Sequence, residues 1–186
     1  MIYEKVLGSD HPAVATSLNG LGTLLVEQGD LATAQPLIER ALAIREKALG
    51  PEHPDAANSL SNLASIFRHQ GDYAAAQPLF EQALQIREKA LGPDHPDTAT
   101  SLNNLAGVLR DQGDLAAARR FYERSFVIYE SALGPDHPNT AMSLNNLASL
   151  FQAQGDLRAA RPLYERSLAI YETTLGPDHP DTGAVA

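Results

Sequence analysis

An all-α array of stacked antiparallel helix hairpins is the fold class this sequence predicts, and three observations predict it. The string LGSDHP at Leu7 returns as LGPEHP at Leu49 and as LGPDHP at Leu91, Leu133 and Leu175, each step being 42 residues without insertion or deletion. A second marker, QGD, starts at Gln28, Gln70, Gln112 and Gln154 with the same step. Between the markers, apolar residues fall at helical spacing. Self-similarity at such a period signals a repeat architecture. One hairpin cannot bury its own apolar face, so neighbours stack and share their stability.

The elements follow in chain order. Met1 to Leu7 matches the tail of a second helix, with Ile2 at the place of Ile44, Ile86, Ile128 and Ile170. Four complete repeats then run over about 12–49, 54–91, 96–133 and 138–175. Each divides into two helices: 12–28 with 31–49, 54–70 with 73–91, 96–112 with 115–133, and 138–154 with 157–175. The second repeat shows why. His53-Pro54 opens its first helix, because proline at the first helical position needs no N–H partner and presets φ. Leu60, Leu63, Ala64 and Phe67 then share one face. Gly71 ends the helix as a C-terminal glycine, and Asp72 caps the next by accepting orphan N–H groups. The second helix turns Ala76, Leu79, Phe80, Ala83, Leu84 and Ile86 inward until Gly92-Pro93 stops it. Pro36, Pro78 and Pro162 fall inside second helices, where Arg120 of the third repeat shows that proline is tolerated rather than required. Pro180 to Ala186 matches the first two turns of a further first helix. Solenoids need polar caps, so the chain is expected to belong to a longer array or to cover its ends by self-association. Leu168 and Tyr171, on the last hairpin, are then expected to be partly exposed.

Composition narrows the function. No stretch of roughly 20 apolar residues exists to cross a bilayer. The start MIYEKVLGSDHP does not read as a signal peptide. With no cysteine in the chain, disulfides, thiolate nucleophiles and cysteine metal sites are excluded, and a cytoplasmic location is expected. The net charge of −9 argues against nucleic acid, whose phosphates demand a basic face, and against an anionic membrane surface.

Residues able to do chemistry follow the repeat instead of converging. His11, His53, His95, His137 and His179 each precede a proline. Equivalent positions in stacked repeats lie about two helix diameters apart, with packed axes ~8–10 Å from each other, whereas zinc ligands all lie ~2 Å from one ion. These histidines are therefore read as loop or helix-start residues. Ser59, Ser101 and Ser143 are periodic as well, unlike a catalytic triad, which is one local constellation. His69 alone is off the period and reads as a surface residue near a helix end. No enzyme activity, cofactor or metal is expected.

The HPDTA, SLNNLA and ALxIREKALG strings resemble the tetratricopeptide repeat, and the 42-residue length is similar to its kinesin light chain type. In the third repeat the signature positions match Leu102, Leu105, Ala106, Leu109, Gly113, Ala118, Tyr122 and Ser125. The resemblance implies a right-handed superhelical solenoid with a concave groove that binds protein or extended peptide, and it implies fold more strongly than function. Asn62, Asn104 and Asn146 fall where the family has a packing asparagine. Asn19, Ser61, Asn103 and Asn145, one residue earlier, would face the groove. Thr16, Asn58, Thr100 and Met142 would lie one turn before them, and Thr23, Ser65, Gly107 and Ser149 one turn after. Glu27, Arg68, His69, Arg110 and Asp111 would stand at the rim, with Arg68 and Arg110 suited to an acidic ligand residue. Lysines that clamp a carboxylate in chaperone-binding relatives sit on first helices, whereas Lys5, Lys47 and Lys89 are on second helices. The reading is a protein- or peptide-binding scaffold. Its alternatives are a module that self-associates through its ends, and a regulatory fragment of a larger multidomain enzyme.

Overall fold

The computed structural model describes residues 8–174 and 176, and the readings on Met1–Leu7 and Pro180–Ala186 lie outside them. Among the described residues are eight helices and no strand: α1 Pro12–Glu27, α2 Leu31–Leu49, α3 Pro54–His69, α4 Tyr73–Leu91, α5 Pro96–Asp111, α6 Leu115–Leu133, α7 Pro138–Ala153 and α8 Leu157–Thr174. The punctuation acts as expected, and every boundary falls within a residue of the reading.

Each helix start and stop has a local cause. Gly71 takes φ +79°, open to glycine at little steric cost. Its N–H bonds the Arg68 carbonyl at 3.0 Å, and the Asp72 N–H reaches the Phe67 carbonyl at 2.9 Å. This crossed pair satisfies the orphan carbonyls of α3. The Asp72 carboxylate then accepts the Ala75 N–H at 3.0 Å, so one residue closes α3 and caps α4. Positive-φ glycines recur at Gly8, Gly29, Gly50, Gly71, Gly92, Gly113, Gly134, Gly155 and Gly176. Their step is half the repeat. The His-Pro starts are more specific than expected: the Nδ1 atoms of His11, His53, His95 and His137 accept the N–H of Ala13, Asp55, Asp97 and Asn139 at 3.1–3.2 Å. These histidines are N-caps. The helices α2, α4 and α8 run unbroken through Pro36, Pro78 and Pro162.

Packing divides the chain at Pro93–Asp94 into two compact units. In the first, hairpin α1–α2 meets hairpin α3–α4 through α2 against α3, and the first helices α1 and α3 also touch. Ala34 and Ile38 of α2 bury with Leu63 and Ile66 of α3, while Ala57 and Leu60 bury with Ala83 and Ile86. In the second unit α6 packs on α7 in the same way, and Ala141 and Leu144 bury with Ile170 and Tyr171. Tyr171 is 8% exposed. The expectation of an exposed Tyr171 is corrected: its ring faces α7 within its own hairpin, and Leu168 alone of the pair is half-exposed.

One core position distinguishes the first repeat. Gly22 stands where later repeats carry Ala64, Ala106 and Ala148. A Cβ there would lie 2.5 Å from Cγ1 and 2.9 Å from Cδ1 of Ile38, which is fully buried. Alanine is worth about 1 kcal/mol over glycine in a helix, but overpacking typically costs ~1–3 kcal/mol. Gly22→Ala is therefore expected to lower thermal stability in the wild-type background and to raise it in an Ile38→Ala background. A double-mutant cycle by thermal denaturation checks the reversal.

Candidate functional site

The candidate site is the face formed by the first helices. In the first unit it holds a hollow of about 200 Å³ lined by Thr23, Val26 and Glu27 of α1 and Asn62, Ser65 and His69 of α3. Asn62 Nδ2 donates to Thr23 Oγ1 across the two helices at 3.3 Å, and Thr23 donates to the Asn19 carbonyl at 3.0 Å. Ser65 Oγ donates to the Ser61 carbonyl. His69 Nδ1 lies 2.7 Å from the Ser65 carbonyl; a carbonyl only accepts, so Nδ1 carries the hydrogen. The hollow brings together Thr23 and Ser65 with the rim residues Glu27 and His69.

In the second unit, the packing asparagine Asn146 donates to Asn103 Oδ1 at 2.9 Å, tying α7 to α5. Arg110 donates to Asp111 Oδ1 from Nε at 3.3 Å and Nη2 at 3.2 Å, and to Ser149 Oγ at 3.5 Å. Much of its charge is thus balanced by its neighbour. Met142 and Asn145 are half-buried on α7, and Arg68 is half-buried on α3.

Several positions of the row are engaged in packing. Ser61 is 5% exposed, so its side chain lies within the structure and not on an open face. The acceptor oxygens of Asn19, Ser61 and Asn145 are buried without a hydrogen-bond partner. Asn58 Oδ1 accepts from Arg87 Nη2 at 2.5 Å. Thr100 Oγ1 meets Tyr129 Oη at 2.7 Å at the equivalent place, so both groove candidates bond their own second helix. Thr16 is exposed and returns its hydroxyl to the Pro12 carbonyl. Gly107 is buried and offers no side chain.

Sequence reasoning missed the position that supplies these bonds: Arg45, Arg87, Tyr129 and Tyr171 are equivalent, and all are buried. Arg45 donates to the Asp55 carbonyl at 3.0 Å and to Ser59 Oγ at 2.8 Å, joining α2 to α3. Burial pushes its pKa down, against the pull of the Asp55 carboxylate. The signal available was the recurrence of a long polar side chain on an inward register.

Charge outside this face is paired through the loops. Lys47 meets Asp10 at 2.5 Å and Lys89 meets Glu52 at 2.6 Å. The Lys47 hydrogen bond holds the Asp10 carboxyl below its usual range. Both lysines lie on second helices, away from the groove face. Among the described residues no group of three or more His, Cys, Asp or Glu is placed to hold a metal ion, and no helix is long and apolar enough to cross a membrane.

A tetratricopeptide repeat model matches residues 2–47, 24–89, 55–131 and 97–173. No curated protein sequence matches the chain. A crystal structure of nearly identical, kinesin-light-chain-like TPR repeats from Podosopora anserina is similar at 31% identity and TM-score 0.76, covering 94% of this chain and 83% of that one. A point variant of that same protein gives 30% identity and TM-score 0.76, covering 94% and 82%. BtubC from P. vanneervenii shares the fold, with TM-score 0.75 at 24% identity over 91% of this chain and 68% of its own. Tandem matches, eight helices in consecutive hairpins and kinesin-light-chain-like neighbours together place the chain in the tetratricopeptide repeat family.

Proposed function

We propose that the chain is a scaffold module whose first-helix face binds an extended segment of another protein. Repeats of this family are in general protein-interaction scaffolds without catalytic activity. The observation that carries the reading is the hollow between α1 and α3, where polar side chains stand over the half-buried Val26. Its size of about 200 Å³ is below the ~300–1,000 Å³ of pockets for whole small molecules, so it suits one or two side chains of a longer ligand.

The chemistry of the hollow refines the ligand. The Glu27 carboxylate accepts hydrogen bonds, and the chain carries a net charge of −9. A segment offering N–H donors and a basic side chain fits this better than an acidic one, because Arg110 is paired with Asp111. Each neutral hydrogen bond contributes only ~0.5–1.5 kcal/mol net, so affinity is modest and distributed over repeats.

Peptides selected from a random display library against the folded protein are expected to be enriched in Lys or Arg. Glu27→Lys is expected to weaken the selected peptides at least tenfold, with an unchanged melting curve because Glu27 is exposed. Binding that persists undiminished in both Glu27→Lys and a Thr23→Arg/Ser65→Arg variant would remove this face as the site.

A further inference from the structure

We infer that Asn62 is a two-position gate over the hollow between α1 and α3. When an N–H donor of a bound segment reaches Thr23 Oγ1, the Asn62 amide leaves that oxygen and pairs with Asn19 Oδ1. The gate deepens the groove reading and rests on it for the ligand; the two positions of Asn62 belong to the protein alone.

The chain displays both positions. Asn19, Thr23 and Asn62 stand two repeats before Asn103, Gly107 and Asn146. In the second unit Gly107 offers no side chain, and Asn146 Nδ2 donates to Asn103 Oδ1 at 2.9 Å, part-buried. In the first unit Thr23 puts a hydroxyl at the place of Gly107. Asn62 Nδ2 goes to that hydroxyl instead, in an exposed bond of 3.3 Å. Asn19 Oδ1, the counterpart of the acceptor used in the second unit, is left buried with no hydrogen-bond partner.

The two acceptors are near neighbours. Asn19 and Thr23 lie four residues apart on one face of α1, where Cβ atoms are ~5–6 Å from each other. A side-chain torsion change in Asn62 therefore exchanges them without moving the backbone. The observed position leaves a buried acceptor bare, while the other gives the oxygen of the exposed Thr23 to water. Each choice leaves one acceptor without the amide, so the two are closely matched, and a donor that takes Thr23 Oγ1 from outside tips the balance.

The gate also sets what the hollow admits. The Thr23 hydroxyl gives its hydrogen to the Asn19 carbonyl at 3.0 Å, so toward a ligand the oxygen only accepts. Once Asn62 has turned away, Thr23 Oγ1 and the Glu27 carboxylate line the hollow together as acceptors. A segment presenting N–H groups fills both, and one presenting only carbonyls or carboxylates leaves the gate where it stands.

The free protein tests the two positions. Thr23→Val removes the hydroxyl and keeps the branched shape, so Asn62 is expected to turn to Asn19 and its side-chain amide to move in the nitrogen–proton NMR spectrum. Asn19→Ala is then expected to lower the melting temperature by ~2–4 °C more in the Thr23→Val background than in the wild type, the shift that one net hydrogen bond gives in a chain of this size. An equal effect in both backgrounds would overturn the gate. Pentalysine, which offers backbone N–H and ammonium groups, tests the response. Its titration into the wild type is expected to shift the Asn62 amide in the direction that Thr23→Val shifts it, and Asn19→Ala to weaken its binding about threefold to tenfold. Binding that Glu27→Lys abolishes but that leaves the Asn62 amide in place would remove the gate and spare the groove reading. Absence of any binding to the wild type would remove both.

Discussion

Leu144→Ala is expected to be the most damaging single change, lowering stability by about 2–5 kcal/mol, the range for a buried leucine truncated to alanine. Leu144 is 1% exposed and packs with Ala141, Ile170 and Tyr171, so it holds α7 to α8. Stability in repeat proteins is approximately a sum of local and nearest-neighbour contributions. Loss should therefore concentrate in the final hairpin. Amide hydrogen exchange is expected to accelerate across α7 and α8 well before α1 and α2, and a uniform acceleration would contradict the placement of this cluster.

Ala106→Leu is expected to cost ~1–3 kcal/mol, the usual penalty for extra methylenes in a packed core. Ala106 is 0% exposed. Its counterpart Gly22 has no room even for a Cβ beside Ile38, and the residue equivalent to Ile38 in this repeat is the buried Tyr122. The added isobutyl group must displace that ring or part α5 from α6. An unchanged melting temperature would mean that the helix seam runs elsewhere.

Helix boundaries were legible because their causes are local. A His-Pro start, a QGD turn and a Leu-Gly stop each act within a few residues, and repetition shows every one several times. The core face was legible from the same repetition, since Leu60, Leu102 and Leu144 are all buried. The groove was less so, because groove and seam differ by a modest rotation about the helix axis. Ser61 fell inside the packing, and Asn58 and Thr100 were taken up by Arg87 and Tyr129. Tyr171 was misjudged for the same reason: its exposure depends on which side of α8 its register places it, not on its being in the last helix. Partners such as Arg45 with Ser59 come from successive hairpins, and nothing in the spacing of either fixes the other's rotamer.

The imidazole caps give each repeat its own observable signal. His11, His53, His95 and His137 each accept a backbone N–H through Nδ1, which leaves the neutral ring's hydrogen on Nε2. Two-bond nitrogen–proton NMR spectra should therefore show four rings of one tautomer, while His69, bonded through Nδ1 to a carbonyl, shows the other. Tautomer preference at a capping ring is lost when its helix start frays. Followed through a urea titration, the four resonances would report the order in which the repeats open, with no label added to the chain.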